Sequence, residues 1–274
     1  GTAHTVNAAS TTTVITSENP DPSNVGQAVT VAYTVAAVAP GGGTPSGTVN
    51  VSDGVNSCSG TVAAGSCSVA FNTTGARTIT ATYAGNGNYS TSAGTAAHAV
   101  QSNGATVNVG ASPASSVTGQ TVTFTATVSG GSGTPTGTVQ FKADGVNIGA
   151  AVALSGGSAQ VSTALGAGSH AITADYSGNG VYGTSSGSIP SYTVGKGSTV
   201  TTIISDAPDP STAGSGYTVS FSVAASSPSS GTPGGTVTVS DGTDSCNDSA
   251  PSGSCVLTST TSGAKTLTAT YSGD

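Results

Sequence analysis

Four cysteines are the residues of this chain best suited to chemistry. Cys58 and Cys67 enclose eight residues (SGTVAAGS), and Cys246 and Cys255 enclose eight more (NDSAPSGS). Equal spacing at two distant places predicts two local disulfides, each across a hairpin, where the strand separation suits the bond. Closing a loop of about ten residues stabilises by roughly 2.5 to 3 kcal/mol in the chain-entropy account. The alternative is a zinc site. It would need about four ligands, and no His lies near either pair. Disulfides place the chain in an oxidising location, extracellular or at a cell surface.

Acidic residues form the second candidate group. Glu18 and Asp21 lie in SENPDPS (17–23), and Asp206 and Asp209 lie in SDAPDPS (205–211). Calcium takes about six to eight oxygens, and these carboxylates could supply some of them. The same residues also suit a polar turn, in which Pro fixes φ and Asp caps the backbone. Both readings stay open, and no other cofactor is implied. Asp241, Asp244 and Asp248 form a looser group without ordered ligand spacing. His4 and His98 occupy equivalent positions, while His170 stands where Arg77 and Lys265 stand elsewhere. Basic residues at that position predict an exposed strand face. No Ser-His-Asp grouping stands out from the abundant Ser and Thr, so catalysis is not expected.

The elements that must carry these residues repeat. Val6, Val100 and Val194 fall at equal intervals of 94 residues. GTPSGTVNV, GTPTGTVQF and GTPGGTVTV recur, as do TITATYAG, AITADYSG and TLTATYSG. A period of this size is a whole small domain. It divides the chain into residues 1–100, 101–194 and 195–274. In each unit Val, Tyr, Phe or Ala alternate with Thr, Ser or Ala, as in Val29-Val31-Tyr33-Val35, Val122-Phe124-Ala126-Val128 and Tyr217-Val219-Phe221-Val223. Period-two alternation is the signature of a half-buried strand. Shorter strands should turn inward Val49 and Val51, Val139 and Phe141, and Val237 and Val239. Later strands should do the same with Ile79-Ala81-Tyr83, Ile172-Ala174-Tyr176 and Leu267-Ala269-Tyr271. Asp53-Gly54, Asp144-Gly145 and Asp241-Gly242 are hairpin signals, because both residue types tolerate positive φ. No segment has an apolar period near 3.6, so almost no helix is expected. About seven short strands per unit suggest an antiparallel β-sandwich.

The segments TVTFTATV (121–128), GTPTGTVQFKADG (133–145) and SHAITADYSGNGVY (169–182) resemble bacterial immunoglobulin-like repeat domains of surface and secreted proteins. The resemblance covers all three copies. It implies an all-β fold of three tandem immunoglobulin-like sandwiches, and a role as stalk, spacer or adhesive. Short linkers (99–107 and 193–200) suggest an extended rod with limited bending at Gly104 and Gly195 to Gly197. The third unit lacks a counterpart of NYSTSAGTAAHAV (88–100), the expected final strand. Two readings stay open: a piece of a longer array, or an open domain that takes a strand from a neighbouring chain in a head-to-tail filament.

Composition limits the partners. Four Lys and Arg against 11 Asp and Glu leave no basic face for nucleic acid. No long apolar run inserts into a membrane. The expected partners are the chain itself, in neighbouring repeats or subunits, and a host or surface glycan or protein. The GNGNY (85–89) and GNGVY (178–182) loops are the expected exposed tips. A carbohydrate-binding accessory module of a secreted enzyme is the alternative, and it would need exposed aromatic platforms.

Overall fold

Thr and Val dominate the alternating segments, and both are β-branched, which favours a pleated surface over a helix. In the computed structural model, which describes residues 1–131 and 133–274, every regular element among the described residues is a strand.

The first eight are β1 (Thr11–Asn19), β2 (Ser23–Asn24), β3 (Ala28–Ala37), β4 (Thr48–Ser52), β5 (Ser57–Thr61), β6 (Ser66–Ala70), β7 (Gly75–Tyr83) and β8 (Ser92–Gln101). They form two sheets, ordered β1-β3-β6 and β2-β8-β7-β4-β5. Next come β9 (Ala105–Ser112), β10 (Ser116–Val117), β11 (Thr121–Gly130), β12 (Thr138–Ala143), β13 (Val146–Asn147), β14 (Val152–Ala153), β15 (Ser158–Ala164), β16 (Gly168–Tyr176) and β17 (Ser185–Gly195). Their sheets are β15-β11-β9 and β10-β17-β16-β12-β13, with β14 also on β12. The last six are β18 (Thr199–Ala207), β19 (Gly216–Ala225), β20 (Thr236–Ser240), β21 (Ser245–Ser249), β22 (Ser252–Thr258) and β23 (Thr268–Tyr271). They give β18-β19-β22 and β21-β20-β23.

Each pair of sheets encloses its own hydrophobic cluster. Val29, Val31, Val49, Val51, Ile79, Ala81 and Tyr83 are fully buried in the first. Val122, Phe124, Val139, Phe141, Ile172 and Ala174 hold the same places in the middle cluster. Val219, Phe221, Val237 and Val239 do so in the third. The expected inward residues are therefore inward, with one exception. Leu267, Ala269 and Tyr271 of the third cluster are only half-buried, and β23 has four residues where β7 and β16 have nine. The physical reason lies in the pairing. β7 is flanked by β4 and β8, and β16 by β12 and β17, whereas β23 pairs only β20.

The strands β8 and β17 do more than extend a ladder. Each also lies against the first strand of the facing sheet, and the approach is close enough to require glycine. A Cβ on Gly94 would meet the Thr13 carbonyl oxygen at 2.2 Å, and one on Gly187 would meet that of Val107 at 2.3 Å. Across the first edge the Thr11 hydroxyl donates to the Ser90 carbonyl (2.8 Å), and the Thr13 and Ser92 hydroxyls pair at 2.7 Å.

Both disulfides form, but they do not lie across a hairpin ladder. Cys58 on β5 pairs with Val51 of one sheet, while Cys67 on β6 pairs with Val31 of the other. Cys246 on β21 and Cys255 on β22 are split between sheets in the same way. Each bond, with Cα atoms 5.9 and 5.8 Å apart, fastens the two sheets together along one edge. The middle sandwich manages with Ile148 and Val161 packed against its core. Replacing Cys58 and Cys67 together by Ala is expected to cost the first sandwich about 2.7 kcal/mol, from the entropy of a ten-residue loop. Denaturant unfolding should show that loss in the first sandwich and none in the middle one.

Candidate functional site

In each sandwich the Asp of the Asp-Gly turn stands beside a basic residue of a later strand. β7 carries Arg77 in register with Ile79, Ala81 and Tyr83, so Arg77 lies on the inner face, not the exposed face expected from sequence. Its Nη1 is 3.0 Å from Asp53 Oδ2, and its guanidinium sits over the Phe71 ring at 5.9 Å. Asp53 has a second task, since its Oδ1 accepts the Val55 and Asn56 N–H groups and shapes the Asp-Gly turn. Burial pushes the Asp53 carboxyl up, but these N–H groups, the Asn56 amide and the Arg77 charge outweigh it and hold the carboxyl below the usual range.

The pair recurs with different cations. In the middle sandwich His170 Nδ1 lies 2.7 Å from Asp144 Oδ2, and Asp144 adopts a positive φ of 51° in its turn. The Asp144 bond and the Gly166 carbonyl raise the His170 imidazole above its ordinary value. In the third sandwich Lys265 Nζ is 3.9 Å from Asp241 Oδ2. The Ser259 hydroxyl (2.5 Å) and the N–H groups of Asp244 and Thr243 hold the Asp241 carboxyl down at about 2. The sequence signal was present, since an Asp-Gly and a later basic residue recur together in every copy. Reading Asp-Gly as a turn alone hid the partnership.

Next to this pair lies the seat of the final strand. His98 on β8 faces inward and is 3% exposed, opposite Arg77 in the ladder. Its Nε2 is 2.8 Å from Ser23 Oγ, its Nδ1 is 3.1 Å from Asp21 Oδ1, and its ring lies against Phe71 at 5.1 Å. Asp21 Oδ1 also accepts the Ala99 N–H at 3.2 Å. Asp21 thus clamps the last strand. In the middle sandwich the matching residue is Tyr192, 1% exposed, whose hydroxyl donates to the Pro113 carbonyl at 3.1 Å. In the third sandwich Asp209, Ser211, Tyr217, Ser259 and Lys265 line a cavity of about 380 Å³.

The other carboxylates proposed from sequence do not converge on Asp21. Glu18 is half-buried on β1 with Oε1 unpartnered, and Asp206 is exposed on β18. Among the described residues no group of three or more His, Cys, Asp or Glu stands close enough to hold a metal ion. The GNGNY and GNGVY loops are not free tips. Asn86 and Asn179 each accept two backbone N–H groups, and the Tyr89 and Tyr182 hydroxyls donate to the Gly42 and Gly133 carbonyls. The segments entering the first and middle sandwiches dock there, with Ala9 bridged to Tyr89 and Asn103 to Tyr182.

The sequence profile of the bacterial Ig-like domain (group 3) matches residues 15–101 and 109–195. The chain belongs to the bacterial Ig-like domain (group 3) family. No curated protein matches its sequence. Among solved structures, it is similar to the fibronectin(III)-like modules of Clostridium thermocellum CbhA, at 18% identity and a TM-score of 0.30, over 67% of this chain and 94% of that one. It is also similar to FdeC, an Escherichia coli adhesin, at 15% identity and a TM-score of 0.29, over 100% and 96%. A 1.5-MDa bacterial ice-binding adhesin aligns at 17% and 0.29, over 91% and 86%. Likeness at this level carries no function across.

The ion pairs of this Ig-like chain fix its response to pH. Asp53 and Asp241 have depressed folded values, so their stabilisation is present above the ordinary carboxylate range and is lost as pH falls through it. Thermal unfolding of the third sandwich should weaken steeply between about pH 4 and pH 2, and Asp241→Asn should flatten that fall. His170 has the opposite sign. Its contribution is complete below about pH 6.5 and fades as pH rises through the raised folded value. NMR titration should place the His170 midpoint above about 6.5 and lower it in Asp144→Asn.

Proposed function

We propose that this chain is an extracellular adhesive or structural repeat protein that works without catalysis. Its parts are three Ig-like domains, residues 1–100, 101–194 and 195–274, placed end to end as a rod. The observation that carries this reading is one sandwich plan built three times and joined by three-residue connections: β8 ends at Gln101 and β9 starts at Ala105, while β17 ends at Gly195 and β18 starts at Thr199. Hydrogen bonds cross both junctions. The Asn103 amide donates to the Val25 carbonyl, and the Ser230 hydroxyl to the Gly119 carbonyl. Connections this short and this bonded favour a stiff array over flexible beads.

Disulfides in two sandwiches support an oxidising, extracellular or surface location. The partners are the chain's own neighbouring repeats or subunits and a surface glycan or protein. The open edge of β23 supports head-to-tail assembly by strand addition. A sugar-binding accessory module has less behind it. Sugar rings stack on exposed aromatic faces, and every Tyr and Phe is buried or half-buried.

Small-angle X-ray scattering of dilute chain tests the rod. Three strands of about ten residues end to end span roughly 100 Å, which gives a radius of gyration near ~29 Å. A value near ~19 Å, that of a compact globule of this length, would contradict it.

A further inference from the structure

Arg77, His170 and Lys265 share a second contact besides their Asp. Each reaches back four residues into the loop just before it. Arg77 Nη2 donates to the Thr73 carbonyl at 2.6 Å, His170 Nε2 lies 2.9 Å from the Gly166 carbonyl oxygen, and Lys265 Nζ donates to the Thr261 hydroxyl at 2.6 Å. Arg and Lys keep their charge across the physiological range, and a histidine does not. The His170 ring nitrogens face two acceptors, the Asp144 carboxylate at Nδ1 and the Gly166 carbonyl at Nε2. Only the imidazolium carries an N–H on each nitrogen and satisfies both. A neutral ring keeps one N–H, and the charged Asp144 acceptor holds it on Nδ1 because that bond is the stronger. Nε2 then turns a lone pair toward the Gly166 oxygen, and the loop loses its tie. The other groups around the ring do not replace the proton. Tyr192, its ladder partner on β17, gives its hydroxyl to Pro113, and Lys142 of β12 is paired with Asp175 at 2.8 Å.

The loop tied by His170, residues 165–167 between β15 and β16, sits at the second joint. Ala167 lines a cleft there with Thr118, Lys196, Gly197 and Ser198. The next residue, Gly168, pairs with Val194, and the Gly195 carbonyl beyond accepts the Thr118 N–H at 2.9 Å. The Thr118 and Gly119 carbonyls in turn accept the Ser230 N–H and hydroxyl of the third sandwich. We propose that His170 is a proton-operated latch on the joint between the middle and third sandwiches. Protonated, it ties loop 165–167 down beside that joint, and neutral, it lets the loop go. The first sandwich carries Arg77 in that place, so its loop stays tied at every physiological pH. The tie of His170 is complete below about pH 6.5 and is lost as pH rises through the raised folded value. The second joint is thus stiffer in acid than at neutral pH. The joint's part in this rests on the end-to-end reading above, and the loop's part does not.

The test is an NMR titration of the 274-residue chain from about pH 5 to about pH 8.5, across the histidine range. It follows the His170 ring, the amides of Ala167 and Gly168 in the loop, and those of Thr118 and Gly197 at the joint. The expected result is one shared midpoint, with the population of the released loop about fivefold higher above it than below it, the scale of a partly exposed ion pair. Nitrogen relaxation reads the joint. The middle and third sandwiches should tumble together below the midpoint and more independently above it. His170→Arg gives the middle sandwich the side chain that the first already folds around, and should remove these responses from the loop and the joint. The unaltered chain alone decides whether the loop follows the ring, so that reading does not need the variant to fold. A ring that titrates while the loop amides stay still would overturn the latch. Loop amides that move while the two sandwiches tumble as one at every pH would overturn the hold on the joint and keep the latch. Independent tumbling at every pH would count against the end-to-end rod and leave the latch intact. Loop amides that still titrate in His170→Arg would overturn His170 as the origin.

Discussion

Closure of each thin core by its last strand is the interaction on which the rest of this structure depends. A Val-rich core that lacks this strand exposes the strand beside the gap, while its centre stays dry: Val219, Phe221, Val237 and Val239 remain fully buried in the third sandwich. In the first sandwich β8 pairs with β7, packs against β1 at Gly94 and buries His98. In the middle one β17 does the same with Gly187 and Tyr192. Where no such strand pairs with β23, the ladder shortens and Leu267 and Tyr271 are only half-buried. The effect follows from ordinary physics. A strand needs partners for its backbone groups on both sides, and an unpaired edge offers those groups to any extended segment.

The opposite edge is managed differently. Two sandwiches fasten their sheets with a disulfide, and the middle one uses Ile148 and Val161. The two devices serve one end, which is to hold apart-lying sheets in register without a large hydrophobic payload. The carboxylate of the Asp-Gly turn pairs with a basic residue of a later strand, buried at Asp53 and Asp241 and half-exposed at Asp144. The cation can be Arg, His or Lys because the Asp is fixed by backbone N–H groups in every case. A carboxylate held this way keeps its charge, and its partner can vary with modest cost.

The strands were legible in the sequence because period-two alternation survives any loop variation. The buried faces of β3, β11 and β19 could be named residue by residue. The disulfides were legible as pairs but not as sheet-to-sheet links. A spacing of eight residues is the same for a hairpin and for an arch between sheets, and only the ladder partners Val51 and Val31 separate the two. The grip of Asp21 and Ser23 on His98 was hidden by distance along the chain. Asp21 looked like a calcium ligand or a turn cap because its partner lies more than seventy residues away. Arg77 was misplaced for a simpler reason. Its charge suggested water, while its register with Ile79 put it inside, where Asp53 pairs with it and the Phe71 ring lies under its guanidinium.

Hydrogen exchange on the dilute chain tests strand closure most directly. The account predicts strong protection of the amides of β7 and β16 and exchange orders of magnitude faster across residues 263–271, because local opening costs little where an edge is unpaired. Equal protection of all three segments would show that these cores do not depend on their last strand, and would contradict it.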